Sequence, residues 1–208
     1  MRRRQVAILV VVGVLASWPQ GVEAVILINE VLADPPALTG DANADGVVSS
    51  SQDEFVELAN TGADSVGLAH WMLSDSIQVR HVFAPADSIP GLGFFVIFGS
   101  TASTGGLSLN NAGDTISLRD SLSMLVDAFS YGAEGGMDVS LTRSPDATGG
   151  FVKHTTISSA AFSPGRTVNG SSTLPAPSRS TIPEPSSLLL LGVGLFGIKL
   201  NRYEYKLK

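Results

Sequence analysis

The residues best suited to chemistry lie in one short run, Asp41-Ala42-Asn43-Ala44-Asp45-Gly46. Side-chain oxygens at loop positions one, three and five can turn toward one hard cation, while glycine at six permits the sharp bend. Val47 would add its carbonyl oxygen, and Ser49 or a water would fill position nine. The expected Ca2+ ligands are therefore Asp41, Asn43, Asp45 and Val47. The bidentate Glu of such loops is missing, because Gln52 stands at position twelve with Asp53 and Glu54 directly after it. Neither flank carries a helical pattern: Pro35 and Pro36 lie upstream and a strand pattern follows. The same residues also read as a solvated polar turn, since Asp, Asn and Gly favour turns by themselves.

Glu30, Glu54 and Glu57 form a second set. Two carboxyls flanking a glycosidic bond can serve as acid and base, but each of these also falls where a strand position accounts for it. His70, His81 and His154 stand singly, without the spacing of a zinc site. No G-x-S-x-G elbow and no cysteine thiol is available as a nucleophile. Gly192 to Gly197 spells G-x-G-x-x-G but follows no strand pattern, so it is not a nucleotide site. Trp71, Phe94, Phe95 and Phe98 would make either an exposed platform or core, and core is the reading for Trp71. No catalytic set is expected, and no cofactor other than Ca2+.

These residues need a body to position them, and composition bounds it. The chain has 208 residues with 13 Lys+Arg against 19 Asp+Glu, a net charge of −6. The ends are basic. Between Val25 and Ile182 sixteen acids face six bases, a net of −10. Such a surface repels phosphate polymers and argues against a nucleic-acid partner. Without cysteine there are no disulfides, so the core alone must hold the fold.

The interior of the sequence is a chain of short strand patterns broken by turn residues. Val25–Val31, Glu54–Leu58, Leu68–Leu73, Val79–Phe83, Phe94–Phe98, Asp114–Leu118, Leu125–Tyr131, Val139–Arg143 and Phe151–Thr155 are rich in β-branched and aromatic residues. Asn60-Thr61-Gly62, Pro90-Gly91, Asn110 to Asp114 and Ser163-Pro164-Gly165 supply turns. No helical period is sustained, so an antiparallel sandwich is expected.

The order of these segments resembles the lamin-tail domain, an immunoglobulin-like β-sandwich of nuclear lamins and many bacterial exported proteins. The resemblance is carried by Ile28-Asn29-Glu30-Val31, by Asp53 to Asn60, and by Leu68 to Asp75, where His70 replaces the family's usual Gly before Trp. It continues through Leu109 to Asp120, Val126 to Tyr131, Ser140 to Arg143 and the closing turn Ser163 to Asn169. It implies a fold that is all-β, an immunoglobulin-like antiparallel β-sandwich spanning residues 25–169, and explains Glu30, Glu54 and Glu57 as strand positions. Gly170 to Ile182, rich in Ser, Thr and Pro, reads as a flexible stalk over residues 170–182.

Both ends read as addresses. Arg2-Arg3-Arg4, the apolar run Val6 to Ala16, and Val22-Glu23-Ala24 predict a signal helix cleaved after Ala24, a signal peptide of residues 1–24. At the other end Pro183-Glu184-Pro185 precedes an apolar run from Leu188 to Ile198, then Lys199, Arg202, Lys206 and Lys208. The two prolines hold this stretch extended and open to a protease. The apolar run is about eleven residues, short of the ~20 that cross a bilayer, though snorkelling bases extend it. A basic end tends to stay cytoplasmic. Residues 183–208 resemble the PEP-CTERM sorting signal of bacterial surface proteins, with a membrane helix. The resemblance implies cutting by an exosortase-type membrane protease near Pro183, Glu184 and Pro185.

The resulting expectation is an exported, non-enzymatic structural or adhesive module, held transiently at the inner membrane and then released to the cell surface or matrix. Its partners would be the exosortase-type protease and extracellular polysaccharide or other surface proteins. The alternative is a calcium-dependent carbohydrate-binding module.

Overall fold

The structure is a computed structural model and describes residues 24–176. Eleven strands follow in chain order: β1 (Ile26–Leu32), β2 (Phe55–Asn60), β3 (Val66–Gly67), β4 (Met72–Ser74), β5 (Val79–Val82), β6 (Ser88–Ile89), β7 (Phe94–Phe98), β8 (Asp114–Arg119), β9 (Leu125–Tyr131), β10 (Leu141–Ser144) and β11 (Gly150–Lys153). Three single turns of 3-10 helix interrupt them, and no α-helix occurs among the described residues. The expected signal helix and membrane helix fall outside the described residues. Within those residues no helix is long and apolar enough to cross a membrane.

The strands form a five-stranded sheet in the order β11-β10-β1-β2-β7, a four-stranded sheet in the order β5-β4-β8-β9, and the pair β3-β6. Every strand pairing is antiparallel. Ile28, Val56, Leu58 and Ile97 of the larger sheet share one core with Leu73, Ile116, Leu118 and Tyr131 of the smaller. Alternation along each strand puts these residues on the inner faces, where burial of apolar surface drives the two sheets together. The expected all-β antiparallel sandwich is what the chain forms.

The larger sheet is buried on both faces along β1 and β2, where every residue is enclosed. Its outer face carries two further apolar clusters. Leu27, Ala59, Ala147 and Leu174 form one, with Leu92 and Phe94 against it. Leu32, Ala42 and Phe55 form the other, with Val96, Phe98 and Phe162. Leu174 and Phe162 both come from Ala160–Leu174, which runs across the outer face as a strap. Leu174 is only 6% exposed, and its N–H donates to the Leu92 carbonyl at 2.7 Å. The folded body therefore continues to Leu174, and the stalk expected from Gly170 onward loses its first residues to the core. Composition misled there: the Ser-rich stretch is held by a turn in which Thr167 and Ser171 bond each other.

A β-bulge sets the character of this face. The β1–β2 register shifts between Ile28 and Glu30, leaving Asn29 as the extra residue. Ile26, Ile28 and Val31 consequently share the inner core, while Glu30 is re-aimed to the outer face opposite Glu57.

The third expected strand is shorter than its pattern. Leu68 to Trp71 is a turn, and β4 begins at Met72. His70 has φ +63° there. Only glycine takes that conformation without cost, which explains why the family favours Gly before Trp. Trp71 is half-buried against the main core.

Candidate functional site

The acidic loop is a set of side chains folded back on their own backbone. Asp41 Oδ1 and Asn43 Oδ1 both accept from the Asp45 N–H, at 3.0 and 2.9 Å. Asp41 Oδ2 accepts from Gly46 N–H at 3.0 Å, and Asp45 Oδ1 from Val47 N–H at 2.8 Å. Asn43 Nδ2 reaches Asp45 Oδ2 and Ser100 Oγ, both at 3.2 Å, which ties the loop to the end of β7. Two left-handed residues make the curl, Ala44 at φ +58° and Gly46 at φ +89°. The structure thus brings Asp41, Asn43 and Asp45 together and leaves Val47 attached through its amide.

Asp53 is the loop residue whose part the spacing rule missed. It is fully buried, and its two oxygens accept from Asn43 N–H at 3.1 Å and Ser49 N–H at 2.7 Å. It takes the closing position one residue after Gln52, whose N–H donates to Ser49 Oγ. The signal was an acid displaced by one residue at the mouth of a buried strand. Oxygen-only donors suit a hard cation such as Ca2+. Among the described residues, no three His, Cys, Asp or Glu side chains converge as a metal-holding group. Any cation here would depend on Asn43 and backbone oxygens beside Asp41 and Asp45.

Of the three glutamates, the fold unites two. Glu30 and Glu57 are register partners on β1 and β2, both without exposed surface. Glu30 Oε1 lies 2.5 Å from Ser140 Oγ and accepts from Ser163 N–H at 2.9 Å, and its Oε2 is 2.9 Å from Ser163 Oγ. Glu57 accepts from Asn29 Nδ2 at 2.8 Å and from Gly165 N–H at 2.6 Å. Burial raises the Glu30 carboxyl above its usual range. Burial, then the adjacent Glu30, raise Glu57 further. Glu54 lies apart, accepting from Leu109 N–H at 3.2 Å, and burial pushes it up to about 7.

The histidines do not meet. His70 lies in the turn before β4. His81 Nδ1 accepts from Ser103 N–H at 3.2 Å, so its proton sits on Nε2, which is buried without a partner. Burial lowers its basicity. His154 is fully buried beneath the strap. The phenylalanines of β7 are divided between faces, Phe95 on the main core and Phe94 and Phe98 on the two outer clusters, so they form no exposed platform.

Arg143 braces the far edge. Its Nε donates to the Ile28 carbonyl at 2.8 Å, Nη1 to Gly149, and Nη2 to Asp127 Oδ2 at 3.2 Å, with the guanidinium 4.7 Å from the Phe151 ring centre. Asp127 also accepts from Ile28 N–H at 2.9 Å, so one carboxylate of β9 links the smaller sheet to β1.

This sandwich, opened by β1 and continued through the hairpin β8–β9, is matched over residues 19–133, more than half the chain, by the family model described as Lamin Tail Domain. The chain belongs to the lamin tail domain family. A second model, the PEP-CTERM protein-sorting motif, matches residues 181–202. No curated protein and no solved structure matches the chain. The lamin tail match ends just past β9, so β10, β11 and the strap follow the matched part. Pro183, Glu184 and Pro185 fall inside the sorting motif and outside the described residues. That motif marks an exported protein directed to an exosortase, a membrane enzyme. The lamin tail domain is itself a non-catalytic, immunoglobulin-like module.

Proposed function

We propose that this chain is a non-enzymatic surface or matrix protein whose lamin tail sandwich is a structural or adhesive interaction module. Its delivery depends on cutting near Pro183-Glu184-Pro185 after transient retention at the inner membrane. The observation that carries the reading is the pairing of a lamin tail body with a sorting motif on one chain. The enclosure of Glu30 and Glu57 beneath the strap supports it, because acid–base work on a substrate needs groups within reach of that substrate. Extracellular polysaccharide or another surface protein is the expected partner. The test is delivery in the native host with and without its exosortase. Surface display that depends on the protease supports the proposal, and unchanged display without it refutes the sorting step.

A second reading, a calcium-dependent carbohydrate-binding module, is favoured by the inward-turned oxygens of Asp41, Asn43 and Asp45. A Ca2+ there would order the loop against Ser100 and the end of β7. A glycan array with and without chelator separates the readings: chelator-sensitive glycan binding selects the second.

A further inference from the structure

The strap closes over a hydrogen-bond network that is short of protons. The path runs from the Ala160 carbonyl to His154 Nδ1 at 2.9 Å, and from His154 Nε2 to Ser163 Oγ at 2.9 Å. It continues from Ser163 Oγ to Glu30 Oε2 at 2.9 Å, and from Glu30 Oε1 to Ser140 Oγ at 2.5 Å. It ends at the Ala161 carbonyl, 3.1 Å from Ser140 Oγ. The terminal carbonyls can only accept. The two serines supply one hydrogen each, and a neutral imidazole supplies one more, which must point at Ala160. The Ala161 carbonyl is already filled by the Ser140 N–H at 3.0 Å, so the Ser140 hydrogen goes to Glu30 and two hydrogens remain for the other three contacts. With Glu30 ionised and one hydrogen on the imidazole, Ser163 Oγ faces two acceptors with one hydrogen. One extra proton on this path removes the shortage.

We propose that Ala160–Leu174 is a proton-locked strap: it closes over Glu30 and Glu57 only while the Glu30–Ser163–His154 path holds an extra proton, and it lifts as pH rises. The charged groups facing the lock agree in sign. Glu57 stands opposite Glu30 on β2, and Asp146 accepts from Asn29 Nδ2 at 3.4 Å and from Val168 N–H of the strap at 3.3 Å. Among the described residues neither Glu30 nor Glu57 has a Lys or Arg salt-bridge partner. Losing the proton therefore places a negative charge at Glu30 beside Glu57, with no Lys or Arg bridged to either. At the same time a buried hydrogen bond is lost.

The sign and window follow from linkage. In the lifted strap the carboxyls are solvated, and above about pH 4.5 a carboxyl in water loses its proton. Glu30 and Glu57 are both raised by burial, so lifting releases at least one proton, and the lifted fraction rises about tenfold or more per pH unit until the closed network itself loses its protons.

Hydrogen–deuterium exchange of the full chain from pH 6 to 9, corrected for intrinsic exchange rates, reads the lock directly. The expected result is that protection of residues 160–174 falls about tenfold or more per pH unit across that range, while residues 114–131 of the β8–β9 hairpin keep theirs. Glu30→Gln supplies a carbonyl oxygen and a permanent N–H donor in the same outline. Its strap should lose protection less steeply with pH than the wild type, because only Glu57 is left to release a proton. A wild-type strap whose protection does not change overturns the proposal even if the variant fails to fold. A Glu30→Gln strap with the wild-type slope overturns it as well, and parallel loss in the hairpin would assign the effect to global unfolding.

Discussion

If the body truly runs to Leu174, truncating that one side chain destabilises the whole sandwich. Leu174 sits in a cluster with Leu27, Ala59, Ala147, Leu92 and Phe94. Leu174→Ala removes three buried carbons, which at about 0.8 kcal/mol each amounts to ~2.4 kcal/mol of transfer free energy. The cluster is small and lies on an outer face, so its walls can partly collapse, and the cavity contribution stays small. The expected loss is about 2–3 kcal/mol, the low end of Leu→Ala costs in cores. Urea denaturation of the full chain measures it, and with a slope of roughly 2 kcal/mol/M the midpoint falls by about 1 M. Leu38→Ala is the control, because Leu38 is 92% exposed and should change stability by less than about 0.5 kcal/mol. If the two variants are indistinguishable, Leu174 belongs to a loose stalk and the strap does not exist as described.

Further perturbations test other joints. Asp53→Ala removes the buried acceptor of the half-buried Asn43 and Ser49 amides, and should cost about 1–3 kcal/mol in a denaturation midpoint assay. Glu54 is raised from 4.5 to about 7 by burial, so its contribution is greatest below pH 4.5 and declines as pH rises to about 7. Glu54→Gln should flatten the stability profile across that window, and an unchanged slope would remove Glu54 as its source. Arg143→Lys cannot keep bonds to Ile28, Gly149 and Asp127 at once, and should lower stability by roughly 1–2 kcal/mol, read from thermal unfolding. The calcium-dependent reading requires that titration calorimetry with Ca2+ give heat that Asp41→Ala abolishes, and absence of heat at millimolar Ca2+ reduces the loop to a polar turn.

The sequence exposed the sandwich because period-two alternation is local. Phe94–Phe98 and Leu125–Tyr131 are legible from composition and pattern alone, and both ends of each coincide with β7 and β9. The pairs Val66–Gly67 and Ser88–Ile89 were not legible, since two residues cannot show a period. Glu57 faces outward by the plain alternation of β2, but the outward aim of Glu30 depends on the bulge at Asn29, a register event that no single strand records. The strap was hidden for the opposite reason. Serine, glycine and proline gave Ser163 to Leu174 the look of a loop, and its hold comes from partners more than a hundred residues away, Glu30 and Glu57. Spacing found three acids or amides of the acidic loop but passed over Asp53, because the rule looks at position twelve and the chain closes one residue later.

The measurement that bears most directly on the whole account is the mass of the mature C-terminus in the native host. The expected chain ends near Pro183-Glu184-Pro185 and is recovered outside the cell. A chain that still ends at Lys208 would contradict it.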